Sequence, residues 1–323
     1  MTLRNKVLHT HTTVDEEQAR QLRTNRTDLY PVQVHPPRHG VPETVERTVR
    51  GILEFQTKWF GTRNKSPRAA FEIHRTNPKT VSLQYVLPTK RLDRKLRTQL
   101  KTEIPDISFS EGTTKIPVSE EETLGGGLIT TGRKDWYPLR TNFDHPPQNS
   151  VVSLLHRHAM RDTQFVIQIL FRPVIGNPVR NWWWIRRAYK RIGYLRKEKE
   201  KLWGNRPPTP REKNQADAIE QKAGSPRFHV SIRFLIIGAN EFTPSRVKEL
   251  AGGFNIYENL DTGQYLNATT IQGIRKQPFT HHAKSIKERQ FNRTPRFQAT
   301  LQELSALISL PEPRQENITT AEP

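Results

Sequence analysis

Nucleotide hydrolysis can be tested directly in this sequence, because the phosphate-binding loop of many ATPases has a strict signature. The loop needs glycines for a tight turn and a Gly-Lys-Ser or Gly-Lys-Thr end, whose lysine and hydroxyl hold the phosphates and magnesium. Neither tripeptide occurs in the 323 residues. The three glycines at 125–127 lack such a lysine and lie between two predicted strands, so we interpret them as a hairpin or flexible turn. The sequence therefore predicts no ATP hydrolysis.

Groups that bind metals or attack substrates are scattered along the chain. His156 and His158 stand two apart in a predicted helix, so their side chains point away from each other. Ser153 and Ser305 lack the context of a nucleophile elbow. The sequence has no cysteine, which excludes disulfides, thiolate metal sites and cysteine nucleophiles. We therefore predict no catalytic residue, no metal and no cofactor.

The segment 180–203 has the most distinct chemical character. Nine basic residues stand there against only Glu198 and Glu200. As a helix, the segment would place Ile185, Ile192 and Leu195 on one face and several of its basic residues opposite. The candidate residues for binding an anionic surface are its basic side chains and the tryptophans near its two ends: Arg180, Arg186, Arg187, Lys190, Arg191, Arg196, Lys197, Trp182, Trp183, Trp184 and Trp203.

Three interpretations of this basic segment remain open. A basic amphipathic helix flanked by tryptophans could lie on an anionic membrane. Basic residues with interleaved aromatics could instead bind nucleic acid. In the third interpretation the apolar face packs on the protein's own sheet, and the charges form only a solvated face.

The composition narrows the class of protein. Its net charge of +20 and pI near 10.4 favour acidic partners such as nucleic acid, anionic lipid or an acidic protein. The N-terminus MTLRNKVLHTHTT has no apolar core typical of a signal peptide. No run approaches the roughly 20 apolar residues of a membrane span. We therefore expect a cytoplasmic protein, or one peripheral at the cytoplasmic membrane face.

The hydrophobic pattern predicts an α+β fold. Strands are predicted at 69–75, 80–88, 106–111, 163–174 and 227–238, with two more near 127–133 and 136–143, and helices near 42–59, 90–103 and 151–160. The predicted organisation is a disordered polar tail (1–41), a first α+β unit (42–176), a basic helical insertion flanked by tryptophans (177–225), a second α+β unit with a C-terminal helix (226–313) and a tail (314–323).

The two predicted units share an internal similarity. Residues 81–111 and 230–260 each read as an apolar strand, a helix of about fifteen residues and a short strand with one aromatic. We therefore predict two similar strand–helix–strand units with mixed or antiparallel sheets. Chance similarity is the alternative explanation.

Several stretches resemble the N-terminal, non-catalytic domain of conjugative type IV secretion ATPases, the TraC-like and HerA-related proteins of archaeal plasmids or viruses. The similar stretches are FEIHR (71–75), VSLQYVLP (81–88), WYPLRTNFD (136–144), the run from 150 to 174 that ends in Arg-Pro-Val, FHVSIRFLIIGA (228–239) and LQELSALISLPEP (301–313). The resemblance covers about 42–313. Leucine stands where the family usually has histidine before Leu-Pro in the last stretch.

The resemblance implies a function without catalysis. In that family an ATPase core follows the last stretch, and this sequence has no such core. The chain would then be a docking or assembly domain of a conjugation or type IV secretion (DNA translocation) ATPase, split or truncated from its motor. The expected partners are the secretion complex at the inner face of the membrane, a separate ATPase subunit, and nucleic acid or anionic lipid, with no small-molecule substrate. The alternative is a basic nucleic-acid-binding protein of a plasmid or virus.

Overall fold

The computed structural model describes residues 8–312, except 60, 78–79, 156–159, 161, 202–203 and 293. The fold is α+β, as the sequence predicts, and every strand pairing among the described residues is antiparallel. One ten-stranded sheet forms its centre.

The N-terminal third supplies the strand at one edge of the sheet and four adjacent strands at the other end. Its elements are β1 (His11–Thr13), α1 (Glu16–Arg23), β2 (Tyr30–His35), α2 (Glu46–Ile52), the two-stranded hairpin β3 (Thr57–Lys58) and β4 (Arg63–Asn64), β5 (Ala69–Asn77), β6 (Thr80–Leu87), α3 (Lys90–Glu103) and β7 (Ser108–Glu111). In α3, leucines 92, 96 and 100 recur every four residues and are all buried. The hydroxyl of Thr89 caps this helix by accepting a hydrogen bond from the N–H of Leu92.

The remaining elements complete the sheet and its helical layers. They are β8 (Thr123–Thr131), α4 (Gln148–Leu154), β9 (Gln164–Pro173), α5 (Pro178–Arg196), the hairpin β10 (Lys199–Lys201) and β11 (Gly204–Arg206), α6 (Pro210–Gly224), β12 (Arg227–Ile237), α7 (Thr243–Gly252), a 3-10 helix (Gly253–Tyr257), β13 (Leu266–Thr270), α8 (Gln277–Lys287), β14 (Phe297–Thr300) and α9 (Leu301–Leu307).

The sheet order is β1-β8-β12-β9-β5-β6-β2-β7, with β13 paired to β8 and β14 paired to β12. One face carries the main apolar core, which packs against α2, α3, α4, α7 and α9. The other face is covered by α1 and α8. Strands from both predicted units share this one sheet, so the boundaries at 176 and 226 do not separate two sheets.

The second face of the sheet also contains a buried ionic network. Arg289 donates two hydrogen bonds of 2.9 Å to the carboxylate of Glu72, which also accepts from Gln84 and Gln168. Burial acts to raise the pKa of Glu72, but Arg289 and His74 outweigh it and hold that pKa below its ordinary value. This network ties the segment after α8 to the centre of the sheet.

The prediction of a disordered N-terminal tail is wrong for residues 8–41. Strand β2 pairs with both β6 and β7, and its Val32 and Val34 are buried in the main core. Helix α1 is capped by Asp15 and buries Ala19 and Leu22 against the other face. The polar residues around these few apolar positions face outward, which explains why the segment reads as a tail.

Three local predictions also differ from the structure. Residues 136–143 form an irregular segment, not a strand, although Tyr137, Leu139 and Phe143 are buried. The stretch GFNIYEN is a 3-10 helix, not a strand, so the second predicted unit lacks its final strand, while the helices of both units form as predicted. The predicted helix near 42–59 ends at Ile52, and the chain continues into the β3–β4 hairpin.

The glycines at 125–127 lie inside β8 and form neither a hairpin nor a flexible turn. A Cβ on Gly126 would collide with the carbonyl oxygen of Phe234, and one on Gly127 would lie 2.6 Å from Val247 of α7. The absence of side chains therefore lets the neighbouring strand and helix approach β8 closely.

The apolar C-terminal helix α9 is buried within this chain. Leu304, Leu307 and Ile308 are fully buried in the main core. The hydroxyl of Tyr85 donates a 2.7 Å hydrogen bond to the carbonyl oxygen of Ile308. Packing against the sheet thus accounts for the apolar character of the helix without a following motor domain. The predicted tail 314–323 lies outside the described residues.

Candidate anion-binding surface

Helix α5 is fixed at its start and along one face. Pro178 occupies its first turn, and Asn177 caps it by accepting a 3.2 Å hydrogen bond from the N–H of Arg180. Ala188, Ile192 and Leu195 form a small separate core with α6. The apolar face is therefore covered by the protein itself, as the third interpretation proposes, although mainly by α6 and not by the central sheet.

Two of the basic candidate residues are hydrogen-bonded within the protein. Arg196 donates to Asp217 at 2.7 Å and to Glu220 at 2.5 Å, which joins α5 to α6. Nε of Arg191 donates a 2.6 Å hydrogen bond to the hydroxyl of Tyr137. These two side chains therefore position α5, and we remove them from the set available to a ligand.

The outer side of α5 is aromatic as well as basic. Trp182 and Trp183 are 52% and 47% exposed, and their rings meet edge-to-face with centroids 5.2 Å apart. The guanidinium carbon of Arg186 lies 5.0 Å from the centroid of the Trp182 ring, and that of Arg187 lies 5.9 Å from that of Trp183. Lys190 is exposed next to them on the helix. We call these five residues the α5 surface.

The β3–β4 hairpin lies beside the beginning of α5, a feature that the sequence analysis missed. The N–H of Asn177 donates a 2.6 Å hydrogen bond to the carbonyl oxygen of Thr62, and Nδ2 of Asn64 donates to the carbonyl oxygen of Pro173 at 2.7 Å. Trp59 stands in the turn of the hairpin and is 68% exposed. The only signal in the sequence is a pair of aromatics before Gly61.

A cavity of about 300 Å³ lies beneath the α5 surface, and we call it the basic cavity. Its walls come from α5, the irregular segment after β8, strand β12 and the residues around the start of β14. The lining side chains include four cations and three tryptophans: Lys134, Arg180, Arg187, Arg296, Trp136, Trp183 and Trp184. His229, Asp135 and Gln298 complete the lining.

The electrostatics of this region are dominated by arginine. Burial, together with the charges of Arg296 and Arg68, lowers the pKa of the Arg172 guanidinium to about 10. Burial also lowers the pKa of His229 to about 3, assisted by Arg296 and other nearby arginines. His229 is therefore neutral at neutral pH, and the cations around it repel one another.

Apart from Arg191 and Arg196, the structure distributes the described candidate residues between two environments. Arg180, Arg187, Trp183 and Trp184 meet at the basic cavity, with Arg187 and Trp183 also on the α5 surface. Trp182, Arg186, Lys190 and Lys197 are exposed on the outer side of the helix or at its end. Trp203 lies outside the described residues.

Four lining residues of the basic cavity are not among those that the sequence predicts: Lys134, Trp136, His229 and Arg296. They come from three distant parts of the chain, which converge only through the fold. No local spacing therefore gives a signal for them.

The described residues also bear on metal binding and on membrane spans. Within 8–312, apart from the undescribed positions, no group of three or more His, Asp or Glu side chains could hold a metal ion. In the same part of the chain, none of the helices combines the length and the apolar character needed to cross a bilayer.

Comparison with known proteins gives a family without an assigned activity. Residues 4–323 match a family model described as Domain of unknown function (DUF8128). No curated protein matches this chain.

Proposed function

Because the chain belongs to the family described as a domain of unknown function (DUF8128), we propose a function from its surface geometry: a non-catalytic domain that docks onto an anionic membrane. The docking surface is the α5 surface together with Trp59 of the neighbouring hairpin. Its partners would be the membrane face and a protein assembly held there.

The observation that carries this proposal is the exposure of large apolar side chains among arginines. Trp59, Trp182 and Trp183 are about half exposed or more, and Val179 at the start of α5 is 64% exposed. Leaving such side chains in water is unfavourable, and several together mark an interaction surface. Tryptophan rings favour the membrane–water interface, where one edge is apolar and the other is wet.

The basic residues supply the attraction that brings such a surface to anionic lipid. Arg186, Arg187 and Lys190 are exposed beside the tryptophans. Each basic residue near an anionic leaflet contributes about 1 kcal/mol. Three of them give roughly 3 kcal/mol, or on the order of a 100-fold gain in affinity. Insertion of the tryptophans into the membrane interface and attraction of the basic residues to anionic lipid would then both strengthen membrane binding.

The resemblance to the N-terminal domains of type IV secretion ATPases supports a place for this domain in a DNA-translocation system. In that role it would hold an assembly at the cytoplasmic membrane face, while a motor elsewhere in the assembly hydrolyses ATP. The absence of a Gly-Lys-Ser or Gly-Lys-Thr loop from the sequence supports a domain without its own ATPase activity. ATP turnover by the purified protein that a point substitution in the protein abolishes would refute the proposal that the domain has no ATPase activity.

Vesicle flotation tests the membrane proposal. The charge variant is Arg186→Glu/Arg187→Glu/Lys190→Glu, which leaves Arg191 in place because it positions Tyr137. The matched control, Lys90→Glu/Arg94→Glu/Lys101→Glu, makes the same change of charge on exposed residues of α3. With phosphatidylglycerol-containing vesicles, we expect the first variant to lose at least about 100-fold in affinity and the control to lose far less.

A nucleic acid is the competing ligand for the same surface. Exposed tryptophans beside arginines could stack single-stranded bases and contact phosphates. In one outcome, the wild-type protein shows no binding to vesicles but binds single-stranded DNA with an affinity that falls steeply as the salt concentration rises. That result would contradict the membrane proposal and support a nucleic-acid-binding function. Equal loss of vesicle binding in the charge variant and the control would also contradict a specific docking surface.

A further inference from the structure

The basic cavity collects cationic side chains from distant parts of the chain. Arg180 and Arg187 come from α5, Lys134 follows β8, and Arg296 precedes β14. Among the described residues that line it, Asp135 has the only carboxylate. Its two oxygens already accept hydrogen bonds from Nε1 of Trp184 at 2.8 Å and from the N–H of Gln298 at 2.9 Å. The cavity therefore holds more positive charge than its own residues neutralise.

Buried N–H groups around the cavity also lack acceptors. Arg227 is only 7% exposed, and its guanidinium lies 4.0 Å from the centroid of the Trp184 ring. Its Nη2 donates to Oδ1 of Asn181 at 2.7 Å, whereas its Nη1 has no partner. Nε1 of Trp136, a residue of the cavity lining, is likewise unpaired. Buried donors are normally satisfied, so these groups indicate a missing acceptor.

We infer that the basic cavity is a binding site for a phosphate monoester group. Such a group carries between one and two negative charges at neutral pH and offers several strong acceptor oxygens. Arginine forks match those oxygens in pairs. A carboxylate would supply less charge and fewer acceptors. The volume of about 300 Å³ admits the phosphate with a small part of the molecule that carries it.

The phosphate could come from a lipid headgroup at the membrane or from a free phosphate compound. The binding of phosphate does not depend on the docking function proposed above, whereas a lipid source does. The two proposals can therefore fail separately.

Titration with inorganic phosphate, against sodium chloride of matched ionic strength, tests the site. Trp136, Trp183 and Trp184 line the cavity, so intrinsic fluorescence reports binding directly. We expect a saturable change and a rise in the thermal unfolding midpoint for wild type. Arg296→Gln should weaken phosphate binding about 10-fold or more, whereas Arg94→Gln on α3, with the same loss of charge, should bind like wild type.

Two results would overturn the inference. One is the absence of a saturable response to phosphate in wild type, and the other is equal weakening in Arg296→Gln and Arg94→Gln. The thermal midpoint of each variant without phosphate shows whether it is folded. A second variant, Arg180→Gln, repeats the test at a lining residue of α5, because Arg180 is exposed and its loss leaves the core unchanged.

Vesicles distinguish the source of the phosphate. Phosphatidic acid presents a phosphate monoester, whereas phosphatidylglycerol presents only a diester. Competition by inorganic phosphate against phosphatidic acid vesicles would support the site and assign it to a lipid headgroup. Phosphate binding without vesicle binding would support a free phosphate ligand and refute the docking function. Vesicle binding without any response to phosphate would refute the site and leave the docking function in place.

Discussion

Lys222 on α6 and Glu303 on α9 form a buried ion pair, with Nζ 2.8 Å from Oε1. The carboxylate of Glu303 also accepts hydrogen bonds of 2.6 Å from the backbone N–H groups of Leu139 and Thr300. One side chain thus joins the α5–α6 pair, the segment after β8 and the C-terminal helix. Because α6 holds α5, this pair sets the position of the candidate surface on the body of the protein.

Replacing Lys222 by methionine should destabilise the fold. The change leaves the Glu303 carboxylate buried without its cation, and breaking a buried pair in this way costs about 3 kcal/mol. Denaturant unfolding followed by circular dichroism measures the loss. Lys213→Met, at an exposed position of the same helix, should change the free energy of unfolding by less than about 0.5 kcal/mol. Equal effects in the two variants would show that the pair does not stabilise the fold.

Glu72→Gln should also be strongly destabilising. Glu72 is the acceptor for both Arg289 and Gln168, and its loss would leave Arg289 buried without a counter-ion. We expect a decrease of about 3 to 5 kcal/mol in the free energy of unfolding. Glu111→Gln, on exposed β7, is the control and should be nearly neutral. A stable Glu72→Gln protein would mean that the network is not needed for folding.

The stability of the protein should fall as the pH falls from about 6.5 to about 4. The pKa of His282 is lowered to about 4, mainly because the side chain is buried. The hydrogen bond between His282 and the carbonyl oxygen of Phe234 acts to raise this pKa, whereas the charges of Arg233 and His281 act to lower it. In that range the unfolded chain binds a proton at His282 that the folded chain does not. The loss from this one group reaches about 3 kcal/mol.

The contribution of His282 can be separated from that of other groups by substitution. His282→Gln keeps a side chain that can donate to Phe234 but does not titrate. Its free energy of unfolding should depend less steeply on pH than that of wild type between about pH 6.5 and about pH 4. Identical slopes for the two proteins would contradict the assignment to His282.

Gly126→Ala should destabilise the centre of the sheet. The new Cβ would collide with the carbonyl oxygen of Phe234 and lie 3.1 Å from Nε2 of His282. Such overpacking costs about 1 to 3 kcal/mol. Gly193→Ala on α5 is the opposite case, because nothing lies within 4 Å of its added Cβ. It should stabilise the protein by up to about 1 kcal/mol. Thermal or denaturant unfolding of both variants checks the predicted difference in sign.

Local patterns in the sequence determined the elements whose buried residues repeat regularly. The leucines of α3 recur about once per turn, and β9 and β12 are continuous apolar runs, so the sequence predicts these elements close to their observed bounds. The helical character of α5 and the concentration of tryptophan and arginine in it were also evident, and Arg180, Arg187, Trp183 and Trp184 do reach the basic cavity. These features depend on neighbours within a few residues.

Only the tertiary structure decided which residues meet. Strand β2 has too few apolar residues to be recognised alone, and its partners β6 and β7 make it part of the sheet. Glu72 and Arg289 are 217 residues apart in sequence, and Lys222 and Glu303 are 81 apart. The cavity likewise joins Lys134, Arg180 and Arg296. Such contacts follow from how strands pair and helices pack, and no repeating spacing along the chain encodes them.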